Sequence, residues 1–131
     1  MSEVMHGACL CGGITFDLGG AEVMGACHCT RCQRWTGSGN SMVIVAKPEG
    51  LKITKGKELM KTFHEEGFSD RFFCSQCGSG IYVTGSDKIY VGAGVIKDSR
   101  MMPAFHIQVA YKAPWDQIAG EAPQFAEWPP S

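Results

Sequence analysis

Phe73-Cys74-Ser75-Gln76-Cys77-Gly78 is the stretch on which the fold turns. Two cysteines with two residues between them can face one metal ion from a tight turn, and the glycine that follows permits the positive φ such a knuckle needs. One pair supplies two thiolates, whereas a closed tetrahedral zinc site takes four. Far upstream, Cys9-Leu10-Cys11-Gly12-Gly13 offers a second pair. A zinc ion held by Cys9, Cys11, Cys74 and Cys77 would clip distant parts of the chain together, which is how a structural metal serves a small domain.

The remaining cysteines form one group, Cys27-His28-Cys29-Thr30-Arg31-Cys32, so all seven fall into clusters. Three protein ligands with one open position is the arrangement of a reactive zinc. The open position suits water or a substrate thiol, because a coordinated thiol is deprotonated outright. His28 stands between two ligand positions and is expected to point away from the ion; as a fourth ligand it would close the site. Other readings stay open on the residues alone. The pairs could be redox dithiols, although no βαβ pattern surrounds them. Disulfides throughout are disfavoured by the odd count. One structural zinc could stand alone, with Cys27, Cys29 and Cys32 as incidental or redox-active thiols.

Around these clusters the chain reads as mainly β. Ile14–Leu18 alternates and ends at Gly19-Gly20, and a second strand runs from Glu22 to Ala26. Ser41–Ala46 is a continuous apolar strand stopped by Lys47-Pro48. Further strands are expected at Leu51–Thr54, Leu59–His64, Arg71–Phe73 and Ile107–Tyr111. Ile81–Val83 and Ile89–Val91 flank a hairpin loop at Thr84–Lys88. Helix is expected only as short turns at Thr30–Trp35 and Trp115–Ala119. The expectation is a single zinc-stapled domain over 1–131, its core spanning about 7–125 and its tail, 126–131, extended.

Composition bounds the function. The chain has 131 residues, 44% hydrophobic and 19% charged, with formal net charge −1. No basic excess points to nucleic acid or an anionic membrane surface. No apolar run approaches the ~20 residues of a membrane helix. The start, Met1 to His6, lacks a basic region followed by an apolar one, so a cytoplasmic location, where thiols stay reduced, is expected.

At these residues the chain resembles the glutathione-dependent formaldehyde-activating family. The resemblance is carried by Gly7-Ala8-Cys9-Leu10-Cys11-Gly12-Gly13 with Phe16, then Cys27-His28-Cys29-Thr30-Arg31-Cys32 with Thr36-Gly37. It continues through Phe73-Cys74-Ser75-Gln76-Cys77-Gly78, His106, Ala113-Pro114-Trp115 and Pro123-Gln124-Phe125. It implies a β-tent-like fold, a structural zinc on Cys9, Cys11, Cys74 and Cys77, and a second zinc on Cys27, Cys29 and Cys32 near a glutathione site. It implies the joining of glutathione and formaldehyde to S-hydroxymethylglutathione, a carbon–sulfur lyase reaction in reverse. One departure is Gln33, which stands where many members have arginine.

Glutathione carries two carboxylates, for which Arg31, Arg34 and Lys47 are candidate partners. The segment Trp35–Asn40 could wall the ligand, and His106 could line the site or donate a proton, though a buried structural role also suits it. Trp115 reads as a core anchor, and His6 and His64 as surface residues. A zinc already bearing three thiolates is a weak Lewis acid, so it would hold a thiol better than it would polarise a carbonyl. The rival class is a non-catalytic zinc module with structural metal and a protein or thiol partner.

Overall fold

The computed structural model describes residues 3–130. It is built from ten strands and one short helix: β1 (Met5–Ala8), β2 (Thr15–Leu18), β3 (Val23–Cys27), α1 (Thr30–Thr36), β4 (Ser41–Ala46), β5 (Leu51–Lys55), β6 (Met60–His64), β7 (Asp70–Cys74), β8 (Gly80–Thr84), β9 (Ile89–Gly92) and β10 (His106–Ile107). A three-stranded sheet runs β1-β2-β5, and a seven-stranded sheet runs β10-β3-β4-β9-β8-β7-β6. The mainly β character expected from the short alternating runs is what the chain adopts. Among the described residues, no helix is long and apolar enough to cross a membrane.

The core lies between the sheets. Ile14, Phe16 and Leu18 come from β2 and its approach, and Ile44, Ala46, Ile81, Ile89 and Val91 from the large sheet. Phe16 fits because Gly7 faces it across the β1–β2 pair: a Cβ at Gly7 would come within 2.1 Å of the ring. The larger sheet has a second face. Val45 pairs with Tyr90, Tyr90 with Val83, and Val83 with Arg71, so these side chains share the side away from the core. An antiparallel sheet normally turns polar residues outward. Here β4 is apolar on both faces, which is why its sequence shows a continuous run.

Two expectations fail and one strand goes unforeseen. The expected strand Ile107–Tyr111 stops at Ile107: Gln108 takes a left-handed conformation (φ 59°) and Val109–Tyr111 forms a 3-10 turn. The expected helix at Trp115–Ala119 is absent and Trp115 is 67% exposed, so it anchors no core. Tertiary partners claim this segment instead: the Asp116 carboxylate meets His28, and its carbonyl accepts from Lys112 Nζ. Strand β1 was hidden because Met5–Ala8 is too short and too polar at His6 for alternation to register. Beyond it, the C-terminal segment docks along β10. His106 N–H donates to Pro123 O, Phe125 N–H to His106 O, and Val109 N–H to Phe125 O. In the tail, Ser131 lies outside the described residues, as do Met1 and Ser2.

Candidate metal centres and the adjoining cavity

The β1–β2 turn brings Cys9 and Cys11 against Cys74, at the end of β7, and Cys77, in the turn to β8. The four sulfurs all lie within 4.8 Å of one another. Cys9 Sγ is 3.6 Å from Cys11 Sγ, which is 3.9 Å from Cys74 Sγ. A tetrahedron with metal–sulfur bonds of about 2.3 Å has edges of about 3.8 Å. Backbone N–H groups of Ile14, Gly13, Gln76 and Cys11 donate to these sulfurs at 3.2–3.5 Å. Such donors favour the charged thiolate over the thiol. Ser79 Oγ, 3.2 Å from Cys77 Sγ, leads in lowering that thiol to about 5. Gly78 follows with φ 82°, the left-handed step expected of the knuckle. The donor set therefore fits a zinc ion, and that ion would staple the small sheet to the β7–β8 hairpin.

The second group sits where β3 runs into α1. Cys27 ends the strand, Cys29 is the helix N-cap accepting from the Cys32 N–H at 3.4 Å, and Cys32 lies one turn in. Their sulfurs also lie within 4.8 Å of one another, and all three residues are part-exposed. The hydrogen bond from Cys32 lowers the Cys27 thiol to about 6, and the same bond raises the Cys32 thiol. One thiolate is thus stabilised at its neighbour's expense. A divalent cation removes that conflict by ionising every ligand, so this set too fits a metal. All seven cysteines are free thiols.

His28 turns away from the sulfurs. It is buried, with Nδ1 3.0 Å from Asp116 Oδ2 and Nε2 3.0 Å from His106 Nδ1. Both ring nitrogens are engaged, so the imidazole does not close the three-sulfur site. Burial lowers the His106 pKa and favours its neutral form. Gln33 Nε2 donates to His28 O and Tyr111 O, tying α1 to the C-terminal segment. The Asp116–His28–His106 row and Gln33 hold the backbone between two ligand positions rigid from behind.

In front of the sulfurs lies a cavity of about 460 Å³. Cys27, Cys29 and Cys32 stand on its wall together with Val43, Val45, Val83, Tyr90, Phe105 and Ile107. Phe105 fills the space over Gly25, where a Cβ would meet its ring at 2.3 Å. Arg31 and Arg71 also line it. Both grip Glu65: Arg31 donates through Nε at 2.5 Å and Nη2 at 2.8 Å, and Arg71 through Nε at 2.9 Å. Phe68 stacks on the Arg31 guanidinium at 3.8 Å.

Arg31 first, and Arg71 second, hold the Glu65 carboxyl down at about 2 against an ordinary 4.5. A depressed folded pKa stabilises the fold above the ordinary value and ceases to do so as pH falls toward the folded one. Glu65→Gln is therefore expected to cost on the order of 2–3 kcal/mol at pH 7, allowing for solvent at Arg31. The gap should narrow to less than half by about pH 3. Urea melts of both proteins across this range check it. Metal loss on acidification is common to both, so a gap that stays constant would refute the assignment.

A family model described as the glutathione-dependent formaldehyde-activating enzyme matches residues 4–111. The chain belongs to that family. A crystal structure of a Rhodobacter sphaeroides protein has the same fold, with TM-score 0.62 and 18% identity over 92% of this chain and 99% of that one. A search of the curated proteins found no match.

In this family member the residues singled out in the sequence separate. Arg31 joins the three cysteines on the cavity wall. Arg34 is exposed on α1 and Lys47 is exposed beyond β4; neither lines the cavity. The Trp35 indole covers Gly80 and lies 5.2 Å from the Arg71 guanidinium, outside the cavity. His106 lies behind the cysteine segment, where it lines a different cavity of about 420 Å³ with His28 and Asp116. The residues that sequence reasoning missed are Glu65, Arg71 and Asp116. An arginine inside the expected strand Arg71–Phe73 is a faint signal for the second. Nothing local marks the other two.

Proposed function

We propose that this member of the glutathione-dependent formaldehyde-activating family is a zinc-dependent thiol–aldehyde adduct enzyme of the carbon–sulfur lyase class. Glutathione is its thiol, S-hydroxymethylglutathione is the family's adduct, and the cytoplasm is its compartment. The observation that carries the reading is the part-exposed three-sulfur set opening onto a ligand-sized cavity, a few residues from Arg31. Cavities of a few hundred cubic ångströms with few polar groups are where small molecules bind.

Cys27, Cys29 and Cys32 would hold the reactive zinc, and Cys9, Cys11, Cys74 and Cys77 the structural one. When bound, the reactive ion supplies a position at which a substrate thiol is kept deprotonated. The cysteine segment, braced by His28, Asp116, His106 and Gln33, fixes where that sulfur lies. The carbon–sulfur bond then forms by attack of sulfur on the aldehyde carbon, and the carbonyl oxygen takes up the proton the thiol gave up. No oxidant or reductant is needed. Holding both reactants supplies most of the acceleration, because orientation alone can be worth about 7–11 kcal/mol in favourable cases. Arg31, on the cavity wall beside the cysteines, would meet a glutathione carboxylate. Arg34 and Trp35 lie outside this cavity, and His106 acts only through the row that braces the cysteine segment.

Metal analysis of the purified chain followed by calorimetric titration with glutathione tests the reading. Two zinc ions per chain and glutathione binding that disappears when the reactive ion is stripped are expected. One zinc and no thiol binding would refute it and leave a structural zinc module.

A further inference from the structure

The cavity is poorly matched to the two reactants that the family description names. Formaldehyde has one carbon and needs little more room than the roughly 30 Å³ of a water molecule. The cavity is about 460 Å³. Glutathione has the size to fill it but not the chemistry. Its two carboxylates, ammonium and amides want polar partners, and a buried charge without one is costly. Its apolar wall is Val43, Val45, Val83, Phe105 and Ile107, with the flank of Tyr90; Ser41, Ser69, Thr84 and Gln108 add neutral polar groups but no charge. Its buried cation, Arg71, is already bonded to Glu65. Arg31 is likewise committed to Glu65, so two guanidinium groups share one carboxylate. That leaves room for about one further anion at the mouth and none deeper.

Two large aromatic side chains complete the rim. Phe68 is 66% exposed and Trp128 is 68% exposed, and both border the cavity. Exposed aromatics around an apolar hollow mark a surface that a ligand covers. The strand supplying Val43 and Val45 is apolar on both sides, although water would be the natural neighbour of its second face.

Resting on the reading that glutathione sulfur is held by Cys27, Cys29 and Cys32, we propose that the aldehyde partner of this chain carries an apolar chain, which lies along Val43, Val45, Val83 and Tyr90. The adduct is the hemithioacetal of glutathione and an alkyl or aryl aldehyde. Aldehyde and thiol combine in it without any other co-reactant: one carbon–sulfur bond forms and the carbonyl becomes a hydroxyl. One carboxylate of glutathione meets Arg31 at the mouth, its other charged groups stay in solvent, and the aldehyde's hydrocarbon fills the valine-lined interior.

S-methyl-, S-propyl- and S-hexylglutathione mimic such adducts and are stable, so their affinities for the zinc-loaded chain can be measured by calorimetry. About fourfold tighter binding for each added methylene is expected until the cavity is full. Val43→Asp should flatten the series. Should that variant fold poorly, Val43→Thr keeps the strand and the side-chain shape and should weaken the hexyl compound alone by severalfold. In turnover, hexanal with glutathione should be used at least tenfold more efficiently than formaldehyde. If glutathione binds but affinity is indifferent to alkyl length, or the trend survives Val43→Asp, the apolar aldehyde is refuted while the thiol site stands. Formaldehyde being used as well as hexanal has the same consequence. If neither glutathione nor any S-alkyl derivative binds, the underlying reading falls as well.

Discussion

Cys74→Ser is expected to yield a chain that does not fold stably at 25 °C. Cys74 is fully buried at the end of β7, and its sulfur belongs to the four that join the small sheet to the β7–β8 hairpin. A structural zinc contributes on the order of 10–16 kcal/mol, as much as or more than the 5–15 kcal/mol net stability of a typical domain. A serine there forfeits most of that and leaves a hydroxyl in a buried place. Cys11→Ser separates ligand loss from packing, because Cys11 is exposed and contributes nothing to the core. Circular dichroism and zinc content of both variants check the claim. If Cys11→Ser melts like the parent, the four-sulfur set is not the staple.

Cys29→Ser is expected to do the opposite: keep the fold and lose the ligand. Cys29 caps α1 by accepting from the Cys32 N–H, and serine is among the best residues for that task. The substitution therefore spares the helix and removes one sulfur from the reactive set. Glutathione affinity should fall about a hundredfold or more, since changes merely behind a metal ligand already cost 10- to 100-fold. The urea midpoint should move little beside that of Cys74→Ser. Equal destabilisation by both variants would contradict the division of labour between four sulfurs and three.

The grouping of the sulfurs into four and three was readable in the chain because coordination chemistry acts through spacing. Cys74-Ser75-Gln76-Cys77 with Gly78 predicts a knuckle, and a knuckle forms. Most strands were readable for a similar reason: alternation in Thr15–Leu18 and the apolar run Ser41–Ala46 reflect burial that a period of two records. Legibility ended where an element's fate depends on a remote partner. Ile107–Tyr111 has the composition of a strand, yet the chain turns left-handed at Gln108, with Phe125 and Glu127 bonded alongside. Trp115–Ala119 has a plausible helical pattern, yet Asp116 is spent on His28, 88 residues away.

The site shows the same boundary. By itself the sequence determined which side chains can hold metal, how they divide, and that Arg31 must lie beside the second group, because these follow from neighbours along the chain. Only the tertiary structure decided that His28 faces Asp116 and His106 instead of the sulfurs, and that Glu65 joins Arg31 to Arg71. It alone decided what the second apolar face of β4 meets. A strand's sequence records that both faces avoid water, but not whether protein or an open cavity stands opposite; here β3, β4, β9 and β8 form one wall, and Cys27, Cys29 and Cys32 stand at its edge.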